Sequence, residues 1–362
     1  MDPARYNLMA VRLATTDVLP TPPEEEKRVT GTQTMRLGLM LPIGAGALGE
    51  GRPVRWTDLR EMARTAEAVG VDTLFLPDHL LFRKSPPGNL MQVNMDEGKL
   101  RGIWESWTIL SALAEATSRL HLGPLVACTG FRNPAILAKM ADTLDEVSDG
   151  RVVLGLGAGW HEPEYEAFGI PYDHRVGRFE EALAIIVPLL RQGRVDFQGQ
   201  YYQARDCVLA PRGPRPTGPP ILIGAQRPRM LALAARYADI YDADYHLEAS
   251  SVSTAFQALD RACAEVGRDP ASIVRTAGTR IALRAPGDPR PGLPGVTAPA
   301  GAAVFELGGM RQMARVGTTT ELLEHARTFQ AAGVRQLTFS LVHPPGPKGI
   351  EMLAPVVEGL RR

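Results

Sequence analysis

Short apolar runs alternate with segments of helical periodicity along most of this 362-residue chain. We predict β-strands at residues 35–41, 73–76, 120–127, 152–156, 220–224, 238–242, 274–283 and 336–342. We predict helices between them at residues 56–69, 105–117, 134–147, 177–191, 228–237, 253–266 and 318–332. Eight strands that alternate with helices predict an α/β fold, a (β/α)8 TIM barrel.

A doubly wound parallel sheet is the alternative that the same alternation allows. Such a sheet normally carries a phosphate-binding glycine pattern directly after its first strand, at the start of a helix. Here the segment at residues 41–46 does not continue into a helix. The barrel is therefore the preferred prediction.

Two long insertions interrupt the alternation, at residues 81–102 after the second strand and at residues 285–316 after the seventh. The second is rich in proline and glycine. Loops that follow strands gather at the catalytic face of a barrel, so both are candidate lids or substrate-selecting loops. Tolerated surface insertions are the alternative, because loops accept extra length at little cost.

The N-terminal 34 residues differ from the rest of the chain. They show little periodicity and include a cluster of prolines, glutamates and basic residues at positions 20–28. A segment that cannot bury an apolar face is expected to be mobile. We therefore predict a mobile extension at residues 1–34 and a single barrel domain at residues 35–362.

Charge and cysteine content exclude several classes of partner. Forty basic residues balance forty acidic ones, so no nucleic-acid or anionic membrane partner is expected. The three cysteines are too few and too scattered for a disulfide framework, which fits a reducing compartment. No membrane span and no secretion signal are recognisable, and we expect a cytoplasmic protein.

Asp78 and His79 follow the second predicted strand and place an imidazole beside a carboxylate at the mouth of the barrel. Such a pair can handle a proton near neutral pH. In isolation, such a pair at the end of a strand is more often structural than catalytic.

Glycines cluster after two other strands. Gly155, Gly157 and Gly159 alternate along a strand that leads to Trp160, so a planar ring or a backbone can come close there. After the fifth strand, Gly224 and Gln226 precede a helix that opens with Pro228, which leaves backbone N–H groups for a phosphate. A plain strand-to-helix turn would have the same sequence.

Other catalytic signatures are missing from the sequence. His161, Glu162, Glu164 and Glu166 crowd together, but they lack the spacing of a helical zinc site and are interpreted as exposed helix carboxylates with a neighbouring histidine. We predict no catalytic metal. Neither a nucleophile elbow nor a Walker-type phosphate loop occurs, which argues against a hydrolase or a kinase.

Five motifs, taken in order, resemble the luciferase-like monooxygenase family. They are WESWT at 104–108, GFRNPAILAK at 130–139, TLDEVSDGR at 143–151, GLGAGW at 155–160 and YEAFGIP at 165–171. The likeness extends over about residues 35–341. Within the family it is greatest to the branch that depends on coenzyme F420, a deazaflavin.

The resemblance implies a barrel whose third strand ends in a bulge, often with a non-proline cis peptide, against the back of an isoalloxazine-type ring. It places Cys128 facing the ring, two glycines that give the ring room, and the turn after the fifth strand near the phosphate. The cofactor-binding residues that it implies are Leu125, Val126, Cys128, Gly157, Gly159, Gly224, Ala225 and Gln226.

For the reaction, the resemblance implies that His79, oriented by Asp78, supplies or accepts a proton while a hydride passes between F420 and a small organic substrate. Trp160 either walls an apolar substrate site or packs under the neighbouring loop. One rival is an FMN-dependent monooxygenase that a separate reductase supplies with reduced flavin. A second rival is a barrel that binds a flavin-like ligand without catalysis. Relatives commonly dimerise, so a homodimer is expected.

Overall fold

Parallel strands close into a barrel in this computed structural model, which describes residues 34–48, 52–85, 93, 95–289, 291–307 and 310–362. In chain order the strands are β1 (Arg36–Met40), β2 (Thr73–Leu76), β3 (Leu81–Phe82), β4 (Arg101–Gly102), β5 (His121–Pro124), β6 (Ala127–Cys128), β7 (Leu154–Gly157), β8 (Arg194–Gln198), β9 (Gln203–Val208), β10 (Ile221–Gly224), β11 (Ile240–Tyr245), β12 (Val274–Leu283), β13 (Ala302–Leu307), β14 (Met310–Gly317) and β15 (Gln336–His343).

The helices lie between these strands. They are α1 (Trp56–Val69), α2 (Ser106–Ala116), α3 (Pro134–Val147), α4 (Glu162–Ala167), α5 (Arg175–Gln192), α6 (Pro228–Tyr237), α7 (Ala249–Val266), α8 (Thr319–Ala331), α9 (Pro347–Glu351) and α10 (Ala354–Arg361). Their apolar faces and the outer faces of the strands form one large core. In the described part of the chain, no helix is both long and apolar enough to cross a membrane.

Strand pairing confirms the predicted barrel. β1 pairs in parallel with β2 on one side and with β15 on the other, and the path continues through β12, β11, β10 and β7 to β6. On its other edge, β2 pairs with β5, also in parallel. Since β5 and β6 are consecutive pieces of the third barrel strand, the two ends of the path meet and the sheet is nearly closed.

The third barrel strand is not continuous as predicted for residues 120–127. It breaks at Leu125 and Val126, which are joined by a cis peptide bond between β5 and β6. Two glycines let the neighbouring backbones approach here: a Cβ on Gly123 would lie 1.9 Å from Val153 O, and one on Gly155 would lie 2.1 Å from Pro124 O. Only residues without a side chain fit at this crossing.

Both insertions contain strands that the sequence analysis did not predict. In the first, β3 pairs antiparallel with β4 and closes the insertion at its base. In the second, β13 and β14 form an antiparallel hairpin, and β14 continues the sheet beside the end of β12, with Ile281 opposite Arg315. The interpretation of residues 285–316 as a loop is therefore wrong for residues 302–307 and 310–316, because β13 and β14 pair with each other and β14 also pairs with β12.

The predicted extension at residues 1–34 lies, apart from Thr34, outside the described residues. The chain divides at this boundary, and residues 34–362 form one compact unit. All three cysteines lie in that unit as free thiols.

Candidate active site

His79 stands three residues beyond the end of β2, at the carboxyl end of the barrel, and it is held by Glu164. Its Nδ1 lies 2.9 Å from Glu164 Oε1, and the two side chains are 16% and 1% exposed. A carboxylate oxygen accepts, so Nδ1 carries the proton that it donates. The lone pair on Nε2 remains, and no hydrogen bond to Nε2 occurs among the described residues.

Glu164 is the site residue whose role the sequence analysis missed. The interpretation of the carboxylates at 162–166 as exposed is wrong for Glu164, although it is right for Glu166. Helix α4 begins just beyond the end of β7 with Pro163 in its first turn, which turns Glu164 toward the end of β2. There Leu80 N–H donates to Glu164 Oε2 at 2.8 Å. A short helix opened by proline directly after a barrel strand is the signal that could have identified it.

Asp78 does not orient His79, and this prediction is wrong. Its side chain is 1% exposed, and both of its oxygens are occupied by other donors. Arg132 donates to them at 2.6 and 3.0 Å, Ser106 Oγ at 2.9 Å and Cys128 N at 3.0 Å. Asp78 therefore ties the loop after β6 and the start of α2 to the end of β2. It is a positioning residue, because both of its oxygens hold neighbouring segments of the chain and not His79.

Apolar side chains form the floor of the barrel mouth around the cis peptide. Phe75, Val153 and Leu222 are buried there, and Leu125 and Val126 are partly exposed above them. Met40 and Ile240 complete this group, which we call the mouth cluster. The cis bond at Leu125-Val126 agrees with the geometry that the family resemblance implies.

Cys128 and Gly159 serve the packing of Tyr165. Cys128 Sγ lies 2.8 Å from the Tyr165 hydroxyl, and burial raises the pKa of this thiol to about 12. A Cβ on Gly159 would lie 1.9 Å from the same hydroxyl oxygen. The sulfur therefore faces the Tyr165 hydroxyl, contrary to the prediction that it faces the ring of the cofactor. The space at Gly159 is taken by the side chains of Tyr165 and Cys128. At Gly157 the space is likewise filled, since a Cβ would lie 2.5 Å from Val126 Cγ2.

The turn after β10 places its backbone N–H groups at the uncapped N-terminus of α6. Arg227 is the N-cap of α6, and no side chain caps that helix. Ala225 is buried and its carbonyl accepts from the Tyr241 hydroxyl at 2.9 Å, which holds the turn in place. Gln226 is exposed and donates to Asp244 at 2.7 Å. A Cβ on Gly224 would make only an ordinary contact with Val126, at 3.7 Å.

Trp160 lies in an aromatic group next to His79. Its ring is 5.4 Å from the His79 ring in a T-shaped arrangement and 6.3 Å from the Phe82 ring. His161, buried on the same side, accepts from Arg83 N–H through Nε2 at 3.2 Å. Burial lowers the pKa of His161 to about 4, so it is neutral at physiological pH. Among the described residues, no group of three or more His, Cys, Asp or Glu side chains is arranged to hold a metal ion.

Sequence relatives of the chain include both reductases and monooxygenases. A phthiodiolone/phenolphthiodiolone dimycocerosates ketoreductase of Mycobacterium sp. (strain JLS) is 32% identical over 248 residues, which are 66% of this chain and 64% of that protein. A pyrimidine monooxygenase of Methylorubrum extorquens (strain PA1) is 37% identical over 258 residues, again 66% and 64%. The chain thus matches less than two thirds of the length of either relative.

Solved structures share the fold at low sequence identity. An F420-dependent secondary alcohol dehydrogenase in complex with an F420-acetone adduct matches with a TM-score of 0.70 at 18% identity, over 91% of this chain and all of the other. An EDTA monooxygenase from Chelativorans sp. BNC1 matches with a TM-score of 0.67 at 14% identity, over 90% and 94%. At these identities the likeness establishes the TIM-barrel fold.

The family model described as luciferase-like monooxygenase matches residues 35–288, from the first strand of the barrel to just beyond its seventh. This range contains His79, Glu164 and the bulge at Leu125-Val126. Solved structures of the same fold are named as an F420-dependent enzyme and as a riboflavin lyase with modified FMN. The chain itself belongs to the luciferase-like monooxygenase family of enzymes.

Proposed function

We propose that this protein transfers a hydride between coenzyme F420 and a small organic substrate, interconverting a ketone and a secondary alcohol. The observation that carries the proposal is the pair of the partly exposed His79 and the buried Glu164 at the mouth of the barrel. The ketoreductase relatives and the motifs of the F420 branch support the same reaction class.

The side chains at the mouth fit a flavin-type ring with an anionic tail. The mouth cluster offers a partly exposed apolar floor of the kind on which an aromatic ring packs. At the turn from Gly224 to Gln226, the uncapped N-terminus of α6 offers backbone donors and a favourable helix dipole to a phosphate. Leu125 and Val126 would hold the ring, and this turn would hold the phosphate.

The chemistry that F420 supplies when bound is the exchange of a hydride with the carbon atom that bears the substrate oxygen. His79 handles the accompanying proton. In alcohol oxidation, Nε2 takes the hydroxyl proton as the C–H bond gives up its hydride, and Glu164 stabilises the imidazolium that forms. In ketone reduction the proton returns from Nε2 to the carbonyl oxygen. Leu80 N–H holds Glu164 in place throughout.

Replacing His79 tests the proposal. With F420 bound, His79→Ala should abolish turnover and leave the dissociation constant for F420 close to that of the wild type, as measured by fluorescence quenching. His174→Ala is the matched control, because it removes an exposed histidine outside the site. Loss of F420 binding with normal turnover per bound cofactor would contradict the assignment.

An FMN-dependent monooxygenase is the second candidate function, favoured by the pyrimidine monooxygenase relative at 37% identity. In that case a separate reductase supplies reduced FMN. Equilibrium binding of the purified protein to oxidised F420 and to oxidised and reduced FMN separates the two. Tighter binding of F420 supports hydride transfer, and tighter binding of reduced FMN supports oxygen activation. As part of the same proposal, we expect the enzyme to work as a homodimer in the cytoplasm.

A further inference from the structure

The two insertions meet beside the candidate active site in one apolar cluster, in which Ile103, Trp160 and Met310 are partly exposed. Phe82 belongs to the base of the first insertion, and Met310 stands at the start of β14 in the second. Both pack in one cluster with Trp160, which follows β7. The full cluster, which we call the apolar wall, consists of Phe82, Val93, Met95, Ile103, Trp160 and Met310.

The wall borders His79 directly. The Phe82 ring lies 4.5 Å from the His79 ring, and the Trp160 ring lies 5.4 Å from it. Because Nδ1 is held by Glu164, a substrate reaches the imidazole through the part of the ring that these two aromatic side chains flank. The body of a substrate whose oxygen meets His79 is thereby brought close to the wall.

Charged neighbours of the wall are either exposed or bonded elsewhere, and Arg101, which lies opposite Phe82 on β4, is buried and donates to Ala45 O at 3.0 Å. In the first insertion Phe82 is buried, whereas Arg83 and Lys84 are exposed. Lys84 Nζ pairs with Glu97 at 2.9 Å, and this pair is also exposed. The histidine beside the wall, His161, is neutral, since its Nε2 accepts from a backbone N–H.

No side chain of the wall carries a charge, and the nearest buried ionisable partner of His79 is a carboxylate. An anionic substrate placed here would lose its hydration and would be repelled by Glu164, and the buried Arg101 already donates to Ala45 O. An apolar body would instead exchange water for contacts with Phe82, Trp160 and Met310.

We infer that the apolar wall makes this a site for uncharged ketones or secondary alcohols with an aliphatic or aromatic body, and that the wall selects against keto acids, hydroxy acids and phosphorylated substrates. The inference rests on the proposed hydride transfer at His79, and it assigns the specificity of that reaction to the meeting of two insertions with Trp160.

The test uses the full-length enzyme loaded with F420 and a homologous series of straight-chain secondary alcohols, each compared with the 2-hydroxy acid of the same chain length. We expect kcat/KM to rise about fourfold with each added methylene until the wall is covered. We expect each hydroxy acid to be about 10²-fold poorer than its matched alcohol. Equal turnover of acids and alcohols, or no dependence on chain length, would overturn the inference.

Variants of the apolar wall test whether it is the source of the dependence on chain length. Trp160→Ala and Met310→Ala should flatten the dependence of KM on chain length, each with a thermal unfolding curve recorded to confirm that it folds. Phe168→Ala is the matched control, because it removes an exposed ring that is not part of the wall. If Phe168→Ala flattens the dependence as strongly as Trp160→Ala does, the wall is not its source.

Calorimetric binding of the same alcohols and acids to the F420-loaded enzyme separates this inference from the proposed function. Preferential binding of longer alcohols without turnover of any of them would refute the reaction and support the wall. Turnover of alcohols and acids alike would support the reaction and refute the wall.

Discussion

Glu164→Gln is expected to reverse the tautomer of His79 and so remove its capacity to act as a base. Leu80 N–H is a fixed donor 2.8 Å from one oxygen of the carboxylate, so the amide oxygen of the glutamine stays there. Its NH2 group then faces His79 Nδ1, which has to accept. The neutral ring carries its proton on Nε2, where it cannot take another from a substrate hydroxyl.

The size of the effect follows from the burial of the pair. A carboxylate charge about 4 Å from an imidazolium contributes about 4 kcal/mol at an effective dielectric constant of about 20. The Glu164 side chain is 1% exposed, so little water screens this interaction. A loss of about 4 kcal/mol corresponds to about 10³-fold in rate. The comparable Asp-to-Asn change in a serine protease triad costs about 10⁴-fold through the same change of tautomer.

Steady-state oxidation of a secondary alcohol by the F420-loaded enzyme is the assay. We expect kcat to fall about 10³-fold for Glu164→Gln, with the dissociation constant for F420 unchanged. Glu166→Gln makes the same chemical change on the exposed side of the same helix and should leave kcat unaltered. A Glu164→Gln variant whose kcat stays within about tenfold of the wild type would refute the role of the pair.

Three further predictions concern stability. Burial raises the pKa of Asp242 from 3.8 to about 6, so the free energy of unfolding falls as pH rises from about 4 to 6. Asp242→Asn should raise the free energy of unfolding by up to about 3 kcal/mol at pH 8 and leave it unchanged at pH 4. Burial lowers the pKa of His325 to about 4, so the free energy of unfolding falls as pH drops from about 6.5 to 4. His325→Leu should remove up to about 3 kcal/mol of that pH-dependent loss, measured as the free energy of unfolding against pH. Gly155→Ala should destabilise by about 3 kcal/mol in urea unfolding, because its Cβ would meet Pro124 O, whereas Gly102→Ala should be neutral because its Cβ would meet nothing.

Local patterns were sufficient to predict most of the barrel. The strands at residues 73–76 and 274–283 and the helices at 56–69, 134–147 and 228–237 have the predicted limits. Each is bounded by a local signal, such as Gly70 in the left-handed conformation after α1, or Asn133 capping α3 ahead of Pro134. Such signals act within a few residues, so they can be read along the chain.

The strands that the sequence analysis did not predict carry weak local signals. The hairpin of β13 and β14 sits in a segment rich in proline and glycine, and it is stabilised by joining β12 beside the barrel. The pair of β8 and β9 has largely exposed faces, so its alternation carries little hydrophobic signal. Pairing of this kind depends on what lies next to the strand in the folded molecule.

The amino-acid sequence by itself favoured a (β/α)8 barrel over a doubly wound sheet and placed His79 just after the end of a strand, because the period and order of the elements and the position of the glycines can be read along the chain. Only the tertiary structure decided which carboxylate holds His79. Asp78 is adjacent in sequence but is taken by Arg132, whereas Glu164, 85 residues away, is buried against the imidazole. A buried polar side chain is satisfied by whichever partner the packing of distant strands and helices brings within hydrogen-bonding distance, and that cannot be read from neighbours in the chain.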